Sequence, residues 1–160
     1  MEKMISVYWF VILILVAGGI AAMVFTFYNH PYDVREAEAT ILIGRVADCI
    51  ASSGKINDAV LNSDKGAFLE TCNLNFDSEP ELNQGQYYLE ASITDFSGTE
   101  KWSVSKGNPV LETHCNPQAK EEIKRLSRCV RGSFYALDDA GNQDLVNILA
   151  VVKKTEKNAK

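Results

Sequence analysis

Hydrophobic and polar positions divide the chain into three regimes. Residues 5–28, ISVYWFVILILVAGGIAAMVFTFY, carry no charge at all. At 1.5 Å per residue a helix of that length reaches roughly 36 Å, enough to cross a hydrocarbon core of about 30 Å. Tyr8, Trp9 and Phe10 mark one end and Phe25, Phe27 and Tyr28 the other, where amphipathic rings favour the headgroup zone. The pattern predicts a cytoplasmic tail over 1–4, a transmembrane helix over 5–28 and an extracytoplasmic α+β domain over 29–160. A cleaved signal sequence is the rival reading. AGGIAA at 17–22 offers the small residues a signal peptidase needs, but a signal's apolar region usually spans only about 7 to 15 residues.

Past the span the period becomes helical. Pro31 interrupts backbone pairing and Asp33 can cap a restart, so a second helix is expected over 33–52. Ala39, Leu42, Ile43, Val46, Cys49 and Ile50 define its apolar face, with Glu38, Arg45 and Asp48 off it. Val34, Ala37, Ile41 and Gly44 form a second, weaker stripe. Such a stripe is a contact surface for another subunit unless a loop covers it.

The third regime alternates. Residues 53–64 read as loop, and a short helix carrying Phe68 and Leu69 leads into Cys72. Tyr87, Leu89, Ala91 and Ile93 then alternate with Tyr88, Glu90, Ser92 and Thr94, the signature of a half-buried strand. Phe96-Ser97-Gly98-Thr99 supplies a turn and Trp102 and Val104 a return strand, making 86–105 a hairpin. Asn116-Pro117 opens a helix through Leu126. Apolar runs over 129–138 and 144–153, joined by DDAGNQ, form a second hairpin at the centre of the sheet, with Val146, Ile148, Ala150 and Val152 on one face. The expected architecture is an antiparallel sheet of about four or five strands with two short helices, packed under the amphipathic helix.

Charge and cysteine usage narrow the setting. A net charge of −5 argues against a nucleic-acid surface, and the basic run Lys153–Lys160 reads as a solvated tail. Four cysteines, Cys49, Cys72, Cys115 and Cys129, all follow the span. An even count there suits two disulfides in an oxidising compartment. Three pairings are possible, and Cys49–Cys72 with Cys115–Cys129 is favoured because each closes a local loop. A four-cysteine zinc site would call for C-x-x-C pairs, which the sequence lacks.

Candidate chemistry is sparse. His30 sits where an interfacial polar residue is expected. His114 beside Cys115 could activate a thiolate only if Cys115 were free. Asp138, Asp139, Asn142 and Asp144 surround Gly141 without the EF-hand spacing, and a polar hairpin turn accounts for them. No phosphate loop, H-E-x-x-H or G-x-S-x-G occurs, and no catalytic residue, metal or cofactor is expected. Gly18 and Ala22 form a small-xxx-small pair with Gly19 alongside, and small residues let helices approach closely in lipid. Gly18, Gly19, Ala22, Val34, Ala37 and Ile41 are therefore the candidate assembly interface.

An apolar N-terminal helix followed by an amphipathic segment on an antiparallel sheet resembles the architecture of type IV pilin-like proteins. Lys3-Met4-Ile5-Ser6 is similar to the processing site of archaeal prepilins, with Met4 where Gly or Ala is usual. The first part of the apolar helix carries no acidic residue, a second departure from many pilins. The segments YWFVILILVAGG, YNHPYDVREAEATILIGRVADCI and RCVRGSFYALDDAGNQDLVNILAVVKKTEKN also resemble single-span proteins of small-genome archaea. The resemblance implies a non-enzymatic subunit of a cell-surface filament or envelope complex, whose partners are membrane lipid, further copies of itself or related envelope subunits. An anchored extracytoplasmic binding module that works without filament formation is the alternative.

Overall fold

A computed structural model describes residues 2–29, 33–62, 64–76, 85–116 and 126–155; for 2–6, 27 and 29 it describes the backbone alone. The chain forms two units, an N-terminal helix and a folded unit from Asp33 onward. Helix α1 covers Glu2–Asn29. Its segment Val7–Thr26 has a mean hydropathy of 2.5 and is long and apolar enough to cross a membrane, and none of it is buried within the protein. Thr26 Oγ1 donates to the Ala22 carbonyl at 2.7 Å, which satisfies the hydroxyl inside the helix.

The folded unit is an α+β structure in which helix α2, Arg35–Ile50, lies on a curled mixed sheet. Ala39, Leu42, Val46 and Ile50 recur at helical spacing and are all buried. Asp33 was expected to cap this helix, but Val34 holds the cap position and offers no side-chain bond. Asp33 Oδ1 instead accepts from the Arg35 N–H at 3.1 Å and from Arg35 Nε at 2.8 Å, while Oδ2 accepts from Arg35 Nη2 at 2.7 Å and from Arg128 Nε at 3.4 Å. One carboxylate thus joins the start of α2 to the start of a sheet strand. Its pairing with Arg35 above all, and then with Arg128, holds the Asp33 carboxyl well below the ordinary aspartate range.

The expected end of the helix at 52 and the expected loop over 53–64 both need correcting. Strands β1, Ala51–Ser52, and β2, Lys55–Ile56, form a small antiparallel hairpin. Ser53 at φ 56° and Gly54 at φ 81° supply its turn, the left-handed pair a two-residue hairpin with native twist requires. Helix α3, Asp58–Leu61, follows, capped by Asn57 Oδ1 on the Ala59 N–H at 3.1 Å. A 3-10 turn at Lys65–Ala67 then runs into helix α4, Phe68–Thr71. Phe68 is fully buried against Trp102, with ring centroids 5.7 Å apart.

The long strands are β3, Tyr87–Thr94, β4, Glu100–Gly107, β5, Ser127–Leu137, and β6, Gln143–Lys153. A short helix α5, Val110–Thr113, lies between β4 and β5. The strand order is β1-β2-β5-β6-β3-β4, so the β5–β6 hairpin is central. Among the described residues the sheet has six strands, and it is mixed, because β2 runs parallel to β5 at Lys55 and Leu137, with Leu137 N–H bonded to the Gly54 carbonyl at 2.9 Å. The expectation of an all-antiparallel sheet of four or five strands fails at this edge alone. Strands of two residues show no alternation to read. Of the helix expected through Leu126, residues 117–125 lie outside the described residues, as do Pro31 and tail residues 156–160.

Register decides which residues meet α2. On the inner face Gly132, Ile148, Ala91 and Val104 form one cross-strand row, and Phe134, Val146, Ile93 and Trp102 the next. These rows and the buried face of α2 make the main core. At Gly132 a Cβ would lie 2.9 Å from Ile43 Cγ2, so the missing side chain is what lets the helix seat this close. A smaller core on the opposite face gathers Tyr88, Leu111, Cys115 and Val151 under α5.

Two disulfides fasten these layers. Cys49, near the end of α2, is bonded to Cys72 at the end of α4, and Cys115, just past α5, to Cys129 on β5, with Cα separations of 5.5 and 5.7 Å. Each closes a loop short enough to contribute about 3 kcal/mol by restricting the unfolded chain.

Two predictions follow from this packing. Replacing Cys49 and Cys72 together by Ala is expected to lower the unfolding free energy by about 3 kcal/mol, read from the urea midpoint at unchanged slope; a loss under about 1 kcal/mol would show that the bond does not constrain the unfolded chain. For Asp33, a folded-state pKa below the unfolded one means that its contribution is present above the ordinary aspartate value and is lost as pH falls beneath it. Asp33→Asn should therefore cost about 1–2 kcal/mol at pH 7 and lose less further stability than the parent between about pH 5 and pH 3. Parallel acid-denaturation curves for the two proteins would contradict the pairing.

Candidate functional site

Two surfaces of the molecule are built in a way that packing alone does not explain, one helical and one on the sheet. On α1, Gly18 and Ala22 stand four residues apart and so share a face. A Cβ added at Gly18 or Gly19 would meet nothing within 4 Å. The small residues thus leave a notch in the helix surface, with exposed Leu15 and Met23 one turn before and after Gly19. On α2, Val34, Ala37 and Ile41 line the side turned away from the sheet, Ile41 being 60 % exposed. Gly44 continues that stripe with open space beside it. The structure therefore collects the six candidate interface residues into two patches, one on each unit.

The second surface is the outer face of the sheet, away from α2. Alternation places Glu90, Ser92 and Thr94 of β3, Leu145, Asn147 and Leu149 of β6, and Arg131, Ser133 and Tyr135 of β5 on this face. Register then sorts them into rows. Glu90, Leu149 and Arg131 stand opposite one another across three strands, Ser103, Ser92, Asn147 and Ser133 across four, and Thr94, Leu145 and Tyr135 across three. Curling of the sheet and the presence of α5 at one end enclose a groove of about 770 Å³ over the first two rows, walled by Glu112, Thr113 and Asn116.

The α5 wall is firmly tied. The Cys115–Cys129 bond holds it covalently. Tyr88 Oη donates to Glu112 Oε2 at 3.1 Å, and Arg131 Nη2 donates to the Cys115 carbonyl at 3.3 Å. Burial, reinforced by the charges of Glu90 and Glu112, pushes the Tyr88 phenol far above its ordinary value, so it stays a donor at any physiological pH. His114 Nδ1 lies 2.8 Å from Ser127 Oγ, outside the groove. With Cys115 in a disulfide there is no thiolate for His114 to activate. His30 lies outside the described residues.

At the loop end of this face Phe96 and Tyr135 stack with centroids 6.4 Å apart. Phe96 is 80 % exposed and Tyr135 62 %. Asp95 shapes the β3–β4 loop that presents Phe96, its Oδ1 accepting from Ser97 N–H at 2.8 Å and Thr99 N–H at 2.9 Å.

The carboxylates of the DDAGNQ turn are engaged by protein groups. Asp138 Oδ1 accepts from the Asn142 N–H at 2.8 Å, and Asp139 pairs with Lys55 at 2.7 Å. Asp144, only 2 % exposed, receives Lys101 Nζ on both oxygens at 2.7 Å. That ammonium also lies 3.4 Å from Asp138 Oδ2, so β4 is bridged to the central hairpin. Sequence reading missed this bridge, because Lys101 and Asp144 are brought together only by strand order. It also missed α5, although Asn108-Pro109 carries the same opening signal read at Asn116-Pro117; Asn108 Oδ1 accepts from the Val110 N–H at 3.1 Å.

The outer face offers carboxylates, a guanidinium, hydroxyls and an amide at fixed register beside an aromatic pair, groups that can hold a polar ligand. No family model, no curated protein and no solved structure matches the chain.

Proposed function

We propose that the chain is a non-enzymatic, pilin-like structural subunit of a cell-surface filament or envelope complex. In this reading 5–28 spans the membrane, 1–4 stays in the cytoplasm and 29–160 is extracytoplasmic. The observation that carries it is α1, which exposes apolar side chains on every side and buries none of its span within its own chain. Such a helix needs lipid or other helices around it. The notch at Gly18, Gly19 and Ala22 suits close helix packing there. Exposed Val34, Ala37 and Ile41 offer the folded unit a second contact of the same kind. Disulfides on both sides of the sheet fit an oxidising exterior.

The outer groove favours a second reading, an anchored binding module. Mass and imaging separate the two. Extracted in mild detergent and recovered from sheared surface material, the parent protein is expected as oligomers or filaments. Gly18→Leu with Ala22→Leu, or Ile41→Ser with Ala37→Ser, should weaken association by about tenfold or more while leaving the unfolding midpoint of the folded unit within a few degrees. A monodisperse monomer in both preparations would remove the assembly reading and leave the anchored module.

A further inference from the structure

The outer sheet face assembles three features that a solvated sheet has no need to combine. Phe96 and Tyr135 stack on one another yet remain largely open to water. Two residues along β5, roughly 7 Å away, begins the row Ser133, Asn147 and Ser92. A further step of the same length reaches Glu90 and Arg131, which flank Leu149 across the central strands. We propose that this face is a binding site for a neutral oligosaccharide, one sugar ring resting on the aromatic pair and the rest of the chain lying along the polar rows into the groove.

Each feature selects that class. A sugar ring has an apolar C–H face that covers an aromatic ring and hydroxyls around its rim that need partners. Serine hydroxyls and an asparagine amide both donate and accept, matching a hydroxyl in either role. Glu90 can only accept and Arg131 can only donate; a hydroxyl satisfies both. Charge argues against an ionic ligand: an anion meets Glu90 and Glu112, and a cation meets Arg131, each at the floor or wall of one groove. The three rows together run about 14 Å, a length suited to a short oligosaccharide rather than a single sugar. Arg131 is held in place through the Cys115 carbonyl and Glu112 through Tyr88, so two of the polar groups are preorganised.

The test uses the full chain in a detergent without a sugar headgroup, since an alkyl glycoside would compete. Cellohexaose, mannohexaose and chitohexaose are titrated by calorimetry, with a sulfated hexasaccharide as the anionic control. Saturable binding of at least one neutral probe is expected, with Kd between about 10 μM and 1 mM. Tyr135→Ala, Phe96→Ala and Asn147→Ala should each weaken it by about tenfold, and Arg45→Ala on the exposed side of α2 should not. Phe96 lies in an exposed loop, so its variant keeps the fold even if substitution on β5 does not, and melting curves identify any variant to discard. The proposal is overturned by no neutral probe saturating by about 5 mM, by preference for the sulfated probe, or by Phe96→Ala binding as the parent does. If Phe96→Ala instead dissolves a dimer of the parent, the face serves contact between copies and the saccharide assignment falls.

Discussion

Contact between α2 and the inner face of the β5–β6 hairpin is the constraint to which the rest of the folded unit is fitted. Ala39, Leu42, Val46 and Ile50 present a narrow apolar ridge, and Val146, Ile148 and Ala150 a smooth floor. Interdigitation at interior packing density leaves little room for error, and Gly132 removes the one side chain that would hold Ile43 away. A glycine in a strand weakens it locally, so here the sheet gives up intrinsic stability for a close helix seat. Once α2 is seated, the Asp33 pairings with Arg35 and Arg128 fix its first turn and Cys49 its last.

Seating one helix on one face leaves the other face free for a different use. Because the main core is complete on the α2 side, the outer rows need carry no packing duty beyond the small cluster beneath α5. That division explains why hydroxyls, an amide and charges can occupy positions on central strands. It also explains why α5 is so heavily tied for a helix of one turn: without a broad apolar face it is held by a disulfide, a phenol–carboxylate bond and the His114–Ser127 contact.

How much of this was legible depended on whether the signal was local. Alternation in β3 and in Val146–Val152 is local, and both strands lie where the pattern puts them. The α2 core face is equally local. Two-residue strands and one-turn helices are too short to show a period, which hid β1, β2 and α5. Lys101 and Asp144 become neighbours, and Glu90 and Arg131 come to flank Leu149, only through a strand order in which β3 pairs with β6. Sequence offers no local trace of such order. The aromatic pair shows the same limit, since Phe96 was legible as a turn residue and Tyr135 as part of an apolar run, but not as partners.

The position of Cys49 has a mechanical meaning. If tension reaches the folded unit along the chain from its N-terminal helix, it enters at Asp33 and would peel α2 from that end. Unravelling can proceed as far as Cys49, where the bond to Cys72 carries force directly across to the end of α4. Residues 50–71, with β1, β2 and α3, are thereby taken out of the path and cannot be drawn into extended chain. The same holds for residues 116–128 under the Cys115–Cys129 bond. Oxidised, the folded unit has less chain that tension can draw out than it has when reduced, because both loops stay closed.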